Sequence, residues 1–184
     1  AVATQSYTNV DYGPEGLERL AKGQSAWETV DALTKADANR RLRQLGIVDA
    51  KGRSASFTGS GCKHWAGHIE KPNFCAQGNI LTGEEVVRSM VSGYEQARKK
   101  TGTGLCDWLA LALVDGQKAG GDSRGRQSAA LLVVRKNGGY AGGNDRFIDL
   151  RVDDHKTPIV ELLRLLSIHK KMFRRAHENP PKAG

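Results

Sequence analysis

The residues best suited to chemistry lie in a glycine-rich stretch over 116–134, which reads GQKAGGDSRGRQSAALLVV. Its glycines allow backbone N–H groups to approach a ligand, because no β-carbon stands in the way. Arg124 and Arg126 add forked guanidinium donors that suit a carboxylate or a phosphate, and Asp122 adds a carboxylate. The run over 128–134 does not alternate between polar and apolar residues, which predicts a strand buried on both faces. The stretch therefore predicts a polar site at the start of a buried strand.

A purely structural interpretation of the same stretch stays open. The glycines match no phosphate-loop pattern, because no Gly-Lys-Ser or Gly-Lys-Thr is present and the strand follows the loop instead of preceding it. A helix that ends at glycine, followed by a tight turn in which Asp and Arg satisfy each other, explains the same residues. The sequence is compatible with either a binding site or such a turn.

Length and composition predict a single globular domain with a sizeable core. The chain has 184 residues, of which 39% are hydrophobic and 26% charged. It contains no apolar run near the roughly 18 residues that a membrane span needs, so we expect a soluble protein with no membrane partner. The three cysteines are an odd number without a Cys-x-x-Cys pair. They favour a reducing compartment, by default the cytoplasm, over a disulfide framework.

Two cysteines and two histidines can be combined into a zinc site, namely Cys62, His64, His68 and Cys75. Zinc needs its four ligands to converge in a tetrahedron, and the spacing C-x-H-x3-H-x6-C fits no standard finger or ribbon. We therefore expect neither a metal nor a cofactor.

The net charge of +8 is concentrated at the carboxyl end. After residue 163 a single acid, Glu178, stands among these bases: Arg164, Lys170, Lys171, Arg174, Arg175 and Lys182. Cations at the end of a helix are favourably placed near the negative pole of its dipole, and no aromatic platform beyond Phe173 accompanies them. We therefore expect the solvated end of a last helix and no nucleic-acid partner.

Two helices and a hairpin are predicted in the first third of the chain. Pro14 in the first turn and Gly23 as a stop delimit one helix. Ser25 and Glu28 form a capping box that begins the second, whose apolar residues, Trp27 included, are expected in the core. The hairpin over 44–58 turns at 50–52 and alternates on its second strand.

A long connection over 59–79 follows the hairpin. Loops of this length in compact domains are usually lids or binding loops, and the residues of interest in this one are Trp65, His68, Gln77 and Asn79. A lone histidine such as His68 is more often a satisfied structural residue.

The second half of the chain predicts helices and two strands. One helix has an apolar stripe that includes Met90 and Tyr94, and a second covers 105–114 and breaks near Gly116. After the glycine-rich stretch and its strand, residues 146–152 predict another strand and Pro158 begins a last helix. The final residues, 179–184, are expected to fray. This order predicts antiparallel sheets with paired helices, an α+β arrangement.

Seven segments in this order resemble a bacterial family of unknown function that is placed in the N-terminal-nucleophile (Ntn) hydrolase superfamily. They read AVATQSY, YGPEGLERL, GIVDAKG, WAGH, AQGN, GGDSRGRQSAALLVVR and DLRVDDH, and the resemblance extends from Ala1 to about His169. It implies a four-layer αββα sandwich, in which two antiparallel sheets lie between helix pairs. It implies no particular reaction, since the family has no established substrate.

The resemblance also implies a nucleophile that this sequence lacks. In that superfamily the nucleophile is a Thr, Ser or Cys at the mature amino terminus, and its own α-amine acts as the base. Ala1 has no nucleophilic side chain. We therefore expect the nucleophile and the first strands to lie in an upstream amino-terminal segment that completes the sheet, the present chain being incomplete at that end.

Element order is similar to that of proteasome-type subunits, where the strand before the paired helices lines the nucleophile and an Asp before a late strand supports it. The similarity implies two catalytic residues, Asp122 and Thr4, and these substrate-binding residues: Gln5, Asn79, Arg124, Gln127 and His68.

Two functions are compatible with these residues. The first is an amide-bond hydrolase of the Ntn type that acts on a small, anionic substrate. The alternative is a non-catalytic module that binds a small anion with the loop over 120–127. In both, the partner is a small molecule, and a homo-oligomer is compatible with the sequence.

Overall fold

A computed structural model describes residues 1–173 of the chain. Antiparallel sheets covered by helices make up this part. The chain divides into two units, one formed by residues 1–93 and 115–124, the other by residues 94–114 and 125 onward. Over residues 1–173 the fold is mixed α+β, with five α-helices. No helix in that part of the chain is long and apolar enough to cross a membrane. The predicted frayed end and three of the basic residues, Arg174, Arg175 and Lys182, lie outside the described residues.

A three-stranded antiparallel sheet is the centre of the first unit. Its strands lie in the order β1, β2, β3 and are Val2–Ser6, Arg43–Val48 and Ser54–Thr58. Two helices, α1 (Tyr12–Ala21) and α2 (Ala26–Ala36), pack on one face of it. The buried residues between them are Tyr12, Ala26, Val30, Leu33, Leu45, Ile47 and Ala55. Apolar residues at helical spacing therefore meet alternate residues of the strands, as amphipathic elements require.

The start of α2 confirms the predicted capping box. Glu28 N donates to Ser25 Oγ at 3.2 Å, and Ser25 N donates to Glu28 Oε2 at 2.7 Å. The prediction that Trp27 is a core residue is wrong, because its side chain is 67% exposed. The buried stripe of α2 runs through Ala26 and Val30, and Trp27 lies about 100° further round the helix.

The connection predicted over 59–79 contains a second, two-stranded sheet. Its strands are β4 (Gly67–Lys71) and β5 (Phe74–Gly78), joined by a tight turn in which Asn73 has a φ of 74°. The sheet packs against β2 and β3. A β-carbon at Gly46 of β2 would clash with Gln77 Oε1, so the glycine allows the two sheets to approach closely. The long loop is therefore mostly a hairpin.

Two helices contribute to both units, α3 (Glu84–Arg98) and α4 (Leu105–Lys118). Tyr94 on α3 is buried, as predicted, and Met90 is half-buried. The predicted break of α4 near Gly116 is wrong, since the helix continues to Lys118. A β-carbon at Gly116 would lie 2.6 Å from Met90 Cγ, so this glycine permits close helix packing and does not end the helix.

The second unit is built on strands β6 (Ala129–Val134) and β7 (Arg146–Val152), with α5 (Pro158–Met172). Its core consists of Cys106, Ala110, Leu131, Val133, Ile148, Val152, Leu162 and Leu166. The prediction that the β6 segment is buried on both faces is wrong, because Leu132 is 57% exposed and Val134 is 64% exposed. Within the described residues, α4 and α5 contribute the helical part of this core and cover one face of the sheet. An apolar run therefore does not guarantee that a strand is buried on both faces.

Candidate functional site

A small cleft of about 270 Å³ opens in the first unit where β1 and β5 end. We call it the Lys63 cleft. Its lining residues are Ser6, Tyr7, Lys63, Asn79 and Ile80. Together they offer two hydroxyl groups, an ammonium group and a side-chain amide, which are groups that orient small polar ligands.

Two lining residues of the Lys63 cleft have a left-handed backbone. The φ angle is 69° at Ser6 and 58° at Ile80. This region is unfavourable for a β-branched residue such as Ile80, and such conformations persist where surrounding contacts hold them. Ile80 is held on both sides, since its N–H donates to Lys63 O at 3.1 Å and its carbonyl accepts from Ser123 N at 2.8 Å. The wall of the cleft is therefore fixed by its backbone.

The segment after β1 is held by a group of polar side chains that we call the Asp37 cluster. Asp37 Oδ2 accepts from Arg43 Nε at 2.8 Å, from Tyr12 Oη at 2.9 Å and from Asn9 Nδ2 at 3.4 Å. Arg43 Nη1 also donates to Tyr7 O at 2.5 Å. The hydrogen bond from Arg43 holds the pKa of Asp37 well below its usual range. The cluster thus ties Tyr7, a cleft residue, to the helices and to β2.

Beside the cleft, the side chain of Gln44 is fully buried between the two sheets. Its Nε2 atom lies 2.9 Å from Gly78 O, 3.1 Å from Gly67 O and 2.9 Å from Thr58 Oγ1. Thr58 Oγ1 is in turn 2.8 Å from His68 Nδ1. A buried amide of this kind is stable because its hydrogen-bonding groups have partners.

The other end of the Gln44 amide faces two of the predicted binding residues. Gln44 Oε1 accepts from Gln5 Nε2 at 2.7 Å and from Asn79 Nδ2 at 3.1 Å. With His68 joined through Thr58, the structure brings together Gln5, Asn79 and His68. We call these residues with Gln44 the amide network. Of its members, only Asn79 lines the Lys63 cleft.

Sequence reasoning missed Gln44. The available signal was a long polar side chain directly before the apolar run LGIV, two residues from Gly46 on the same face of the strand. A polar residue at an inward-facing position needs a partner, and that requirement could have marked it as the centre of a network.

Thr4, predicted as a catalytic residue, lies on the other face of β1 from Gln5. It is paired with Leu45, a core residue beneath the helices, and its Oγ1 donates to Asn9 O at 3.4 Å. Successive strand residues point to opposite faces, so the structure does not bring Thr4 to the amide network.

Asp122 and Arg124 form a bidentate ion pair with each other. Arg124 Nε lies 3.0 Å from Asp122 Oδ1 and Nη2 lies 2.7 Å from Oδ2. Hydrogen bonds from Arg124 lower the pKa of Asp122, which favours the carboxylate over a proton-donating acid. This is the satisfied turn that the sequence left open.

The loop that carries Asp122 nevertheless lies beside the cleft wall. Thr82 N donates to Gly121 O at 3.0 Å, and Leu81 forms a bridge with Asp122. At Gly120, whose φ is 125°, a β-carbon would clash with Thr82 Oγ1. Gln127, another predicted binding residue, lies in the second unit, where its carbonyl accepts from His155 N at 2.8 Å.

Two of the four residues that could be combined into a zinc site bond to other groups. Cys62 Sγ donates to Arg43 O at 3.3 Å, and His68 bonds to Thr58. Among residues 1–173 no group of three or more His, Cys, Asp or Glu side chains is placed to hold a metal ion.

A model of a family of unknown function, DUF1028, matches residues 1–162, and the chain therefore belongs to that family. A crystal structure of a protein from Silicibacter pomeroyi that is described with the same family is similar, with a TM-score of 0.78 and 27% identity. The match covers 92% of this chain and 71% of that one. No curated protein matches. The resemblance to a family of unknown function is confirmed.

Proposed function

We propose that the Lys63 cleft binds a small anionic ligand. The observation that carries this proposal is the charge of the lining, in which Lys63 is the charged residue and no carboxylate occurs. Across the described part of the chain, Lys63 makes no ion pair. An unpaired ammonium beside a fixed amide favours a carboxylate or phosphate ligand.

Neighbouring charges act in the same direction. Gly61 N donates to Arg41 O at 2.7 Å, so the segment that carries Arg40 and Arg41 lies beside the residues preceding Lys63. Both arginines are exposed and, within residues 1–173, form no ion pair. The carboxylates on adjoining segments, Asp37 and Asp122, are each neutralised by an arginine. A positive field at the mouth of a cleft attracts anions.

The second candidate is an amide-bond hydrolase of the Ntn type, with the four-layer αββα arrangement that this superfamily implies. One observation favours it. Strand β1 leads directly to the helix pair α1 and α2, and its last residue, Ser6, lines the cleft. Since Ala1 has no nucleophilic side chain, the proposal requires an amino-terminal Thr, Ser or Cys from a segment outside this sequence. Intact mass and amino-terminal sequencing of the native protein test it, and a native start at Ala1 without a companion chain would exclude it.

Anion binding should depend on Lys63. We expect small dicarboxylates or phosphate to raise the melting temperature of the wild type, and calorimetric titration should show about tenfold weaker binding, equal to about 1.4 kcal/mol, in Lys63→Gln. The matched control is Lys71→Gln, at the far end of β4, which removes the same charge without touching the cleft. Equal binding by the wild type and Lys63→Gln would contradict the proposal, as would no binding at all.

A further inference from the structure

The orientation of the Gln44 amide follows from its neighbours. Two of the atoms around one end, Gly67 O and Gly78 O, are backbone carbonyls that can only accept hydrogen bonds. The Gln44 atom facing them must therefore be Nε2, because an oxygen there would be buried against two other oxygens. The opposite orientation is excluded by chemistry, and Gln44 Oε1 must point toward Asn79.

The orientation of the Gln44 amide determines that of the Asn79 amide. Because Gln44 Oε1 is an acceptor, Asn79 must present Nδ2 to it, at 3.1 Å, and the remaining amide atom is Oδ1. No described residue donates a hydrogen bond to this oxygen. The oxygen does not belong to the buried polar atoms that lack a partner, so it is accessible. Rotating the Asn79 amide would place its oxygen against that of Gln44. Asn79 Oδ1 is thus an accessible acceptor, and the hydrogen bond from Asn79 Nδ2 to Gln44 Oε1 fixes the orientation of the amide.

The cleft therefore has two groups of fixed polarity. Asn79 Oδ1 can only accept, and the Lys63 ammonium can only donate, whereas the hydroxyls of Ser6 and Tyr7 can do either. A ligand that satisfies both fixed groups needs a hydrogen-bond donor and an anionic group. A neutral amide N–H suits this better than an ammonium, since a second cation would be repelled by Lys63.

We infer that Asn79 is a specificity-determining residue of the Lys63 cleft, selecting small anions that also carry a neutral amide N–H, and that Gln44 is the positioning residue that sets its polarity. This inference rests on the proposed anion binding. A volume of about 270 Å³ suits a ligand of metabolite size. An ester or a second carboxylate in place of the amide leaves Asn79 Oδ1 without a donor and brings oxygen against oxygen.

Two isosteric probes test the inference without any mutation. Succinamate, used as its N-methyl amide, carries a carboxylate and a secondary amide N–H, and monomethyl succinate carries a carboxylate and an ester in which an oxygen replaces that N–H. We expect calorimetric titration to show about tenfold tighter binding of succinamate, in line with one hydrogen bond gained and one oxygen repulsion avoided. If neither probe nor any other anion binds, the proposed function fails. If both probes bind equally, anion binding stands and this inference is overturned.

A variant pair assigns the selectivity to Asn79. Asn79→Ala should bring the affinity ratio of the two probes close to one, and the matched control Asn39→Ala, an exposed asparagine whose side chain bonds to nothing in the described chain, should keep it. In proton–nitrogen correlation spectra, succinamate should shift the side-chain amide signals that Asn79→Ala removes. A ratio that survives in Asn79→Ala would overturn the assignment. Melting curves establish that the variant is folded, and the wild-type comparison stands independently of it.

Discussion

Replacing Gln44 with glutamate should lower the free energy of unfolding by about 4 kcal/mol at pH 7. A carboxylate at this fully buried position would face two backbone carbonyls that cannot donate to it, and it would lose both donated hydrogen bonds. Burial and such neighbours raise the pKa of a glutamate by roughly 3 to 5 pH units, to above 7, so the carboxyl must take up a proton on folding at pH 7. Raising the pKa from about 4.3 to beyond pH 7 is a change of about 2.7 units at this pH, and each unit corresponds to about 1.4 kcal/mol. Urea denaturation of the variant and the wild type measures the difference.

The pH dependence of Gln44→Glu has a defined sign. The pKa of the introduced carboxyl in the folded state would lie above its unfolded value of about 4.3, because the charged form is disfavoured. The stability deficit should therefore be largest near neutral pH and shrink as the pH falls toward about 4, where the protonated acid can donate one hydrogen bond. The control is Gln127→Glu, which is exposed and should cost less than about 0.5 kcal/mol at either pH. A deficit independent of pH would mean that Gln44 does not occupy a dry amide site.

The partners of Gln44 could not be predicted from sequence because they are distant along the chain. Gly67 and Gly78 accept from it only because β4 and β5 fold as a hairpin onto β2. The first strand of that hairpin, β4, is short and reads GHIEK, and its Gly, His, Glu and Lys residues give little β signal. Local signals worked where a few neighbouring residues decide the structure, as in the capping box of Ser25 and Glu28.

Burial was predictable where one face of an element meets a partner and not where the pattern is ambiguous. Tyr94 was correctly placed in the core, whereas Trp27 was not, because it lies beside the buried stripe of its helix. The apolar run of β6 gave no sign of its exposed face. For the candidate site, the similarity in element order suggested Gln5 and the long connection suggested Asn79 and His68, but the contacts joining these residues depend on the pairing of two sheets.

Replacing Asp37 with alanine should lower the free energy of unfolding by about 3 to 5 kcal/mol. The side chain of Arg43 is 16% exposed and that of Asp37 is 9% exposed, so the pair is largely removed from water. Removing the carboxylate leaves a largely buried guanidinium without its counter-charge, which is the costly way to break such a pair. Tyr12 also loses the acceptor of its hydroxyl. Denaturant unfolding measures the loss, and Asp31→Ala, which breaks the exposed pair with Lys35, should cost less than about 1 kcal/mol.

Acid titration separates the charge of Asp37 from its shape. Its pKa is lowered in the folded protein, so its contribution is present above the unfolded value of about 3.9 and is lost as the pH falls toward the folded value. Asp37→Asn keeps an acceptor for Tyr12 and Arg43 but has no titrating group, so it should lose less stability than the wild type between about pH 4 and pH 2. Parallel acid-induced losses in the two proteins would show that the Arg43 pair contributes no charge-dependent stability.

The Asp37→Ala variant also tests whether the Asp37 cluster supports the Lys63 cleft. Arg43 holds Tyr7 O as well as Asp37, so removing the carboxylate should loosen a segment that lines the cleft. We expect Asp37→Ala, at a temperature where it remains folded, to bind succinamate more weakly while keeping its preference over monomethyl succinate, because the amide network is untouched. Loss of the preference with retained affinity would mean that Tyr7, and not Asn79, distinguishes the two probes.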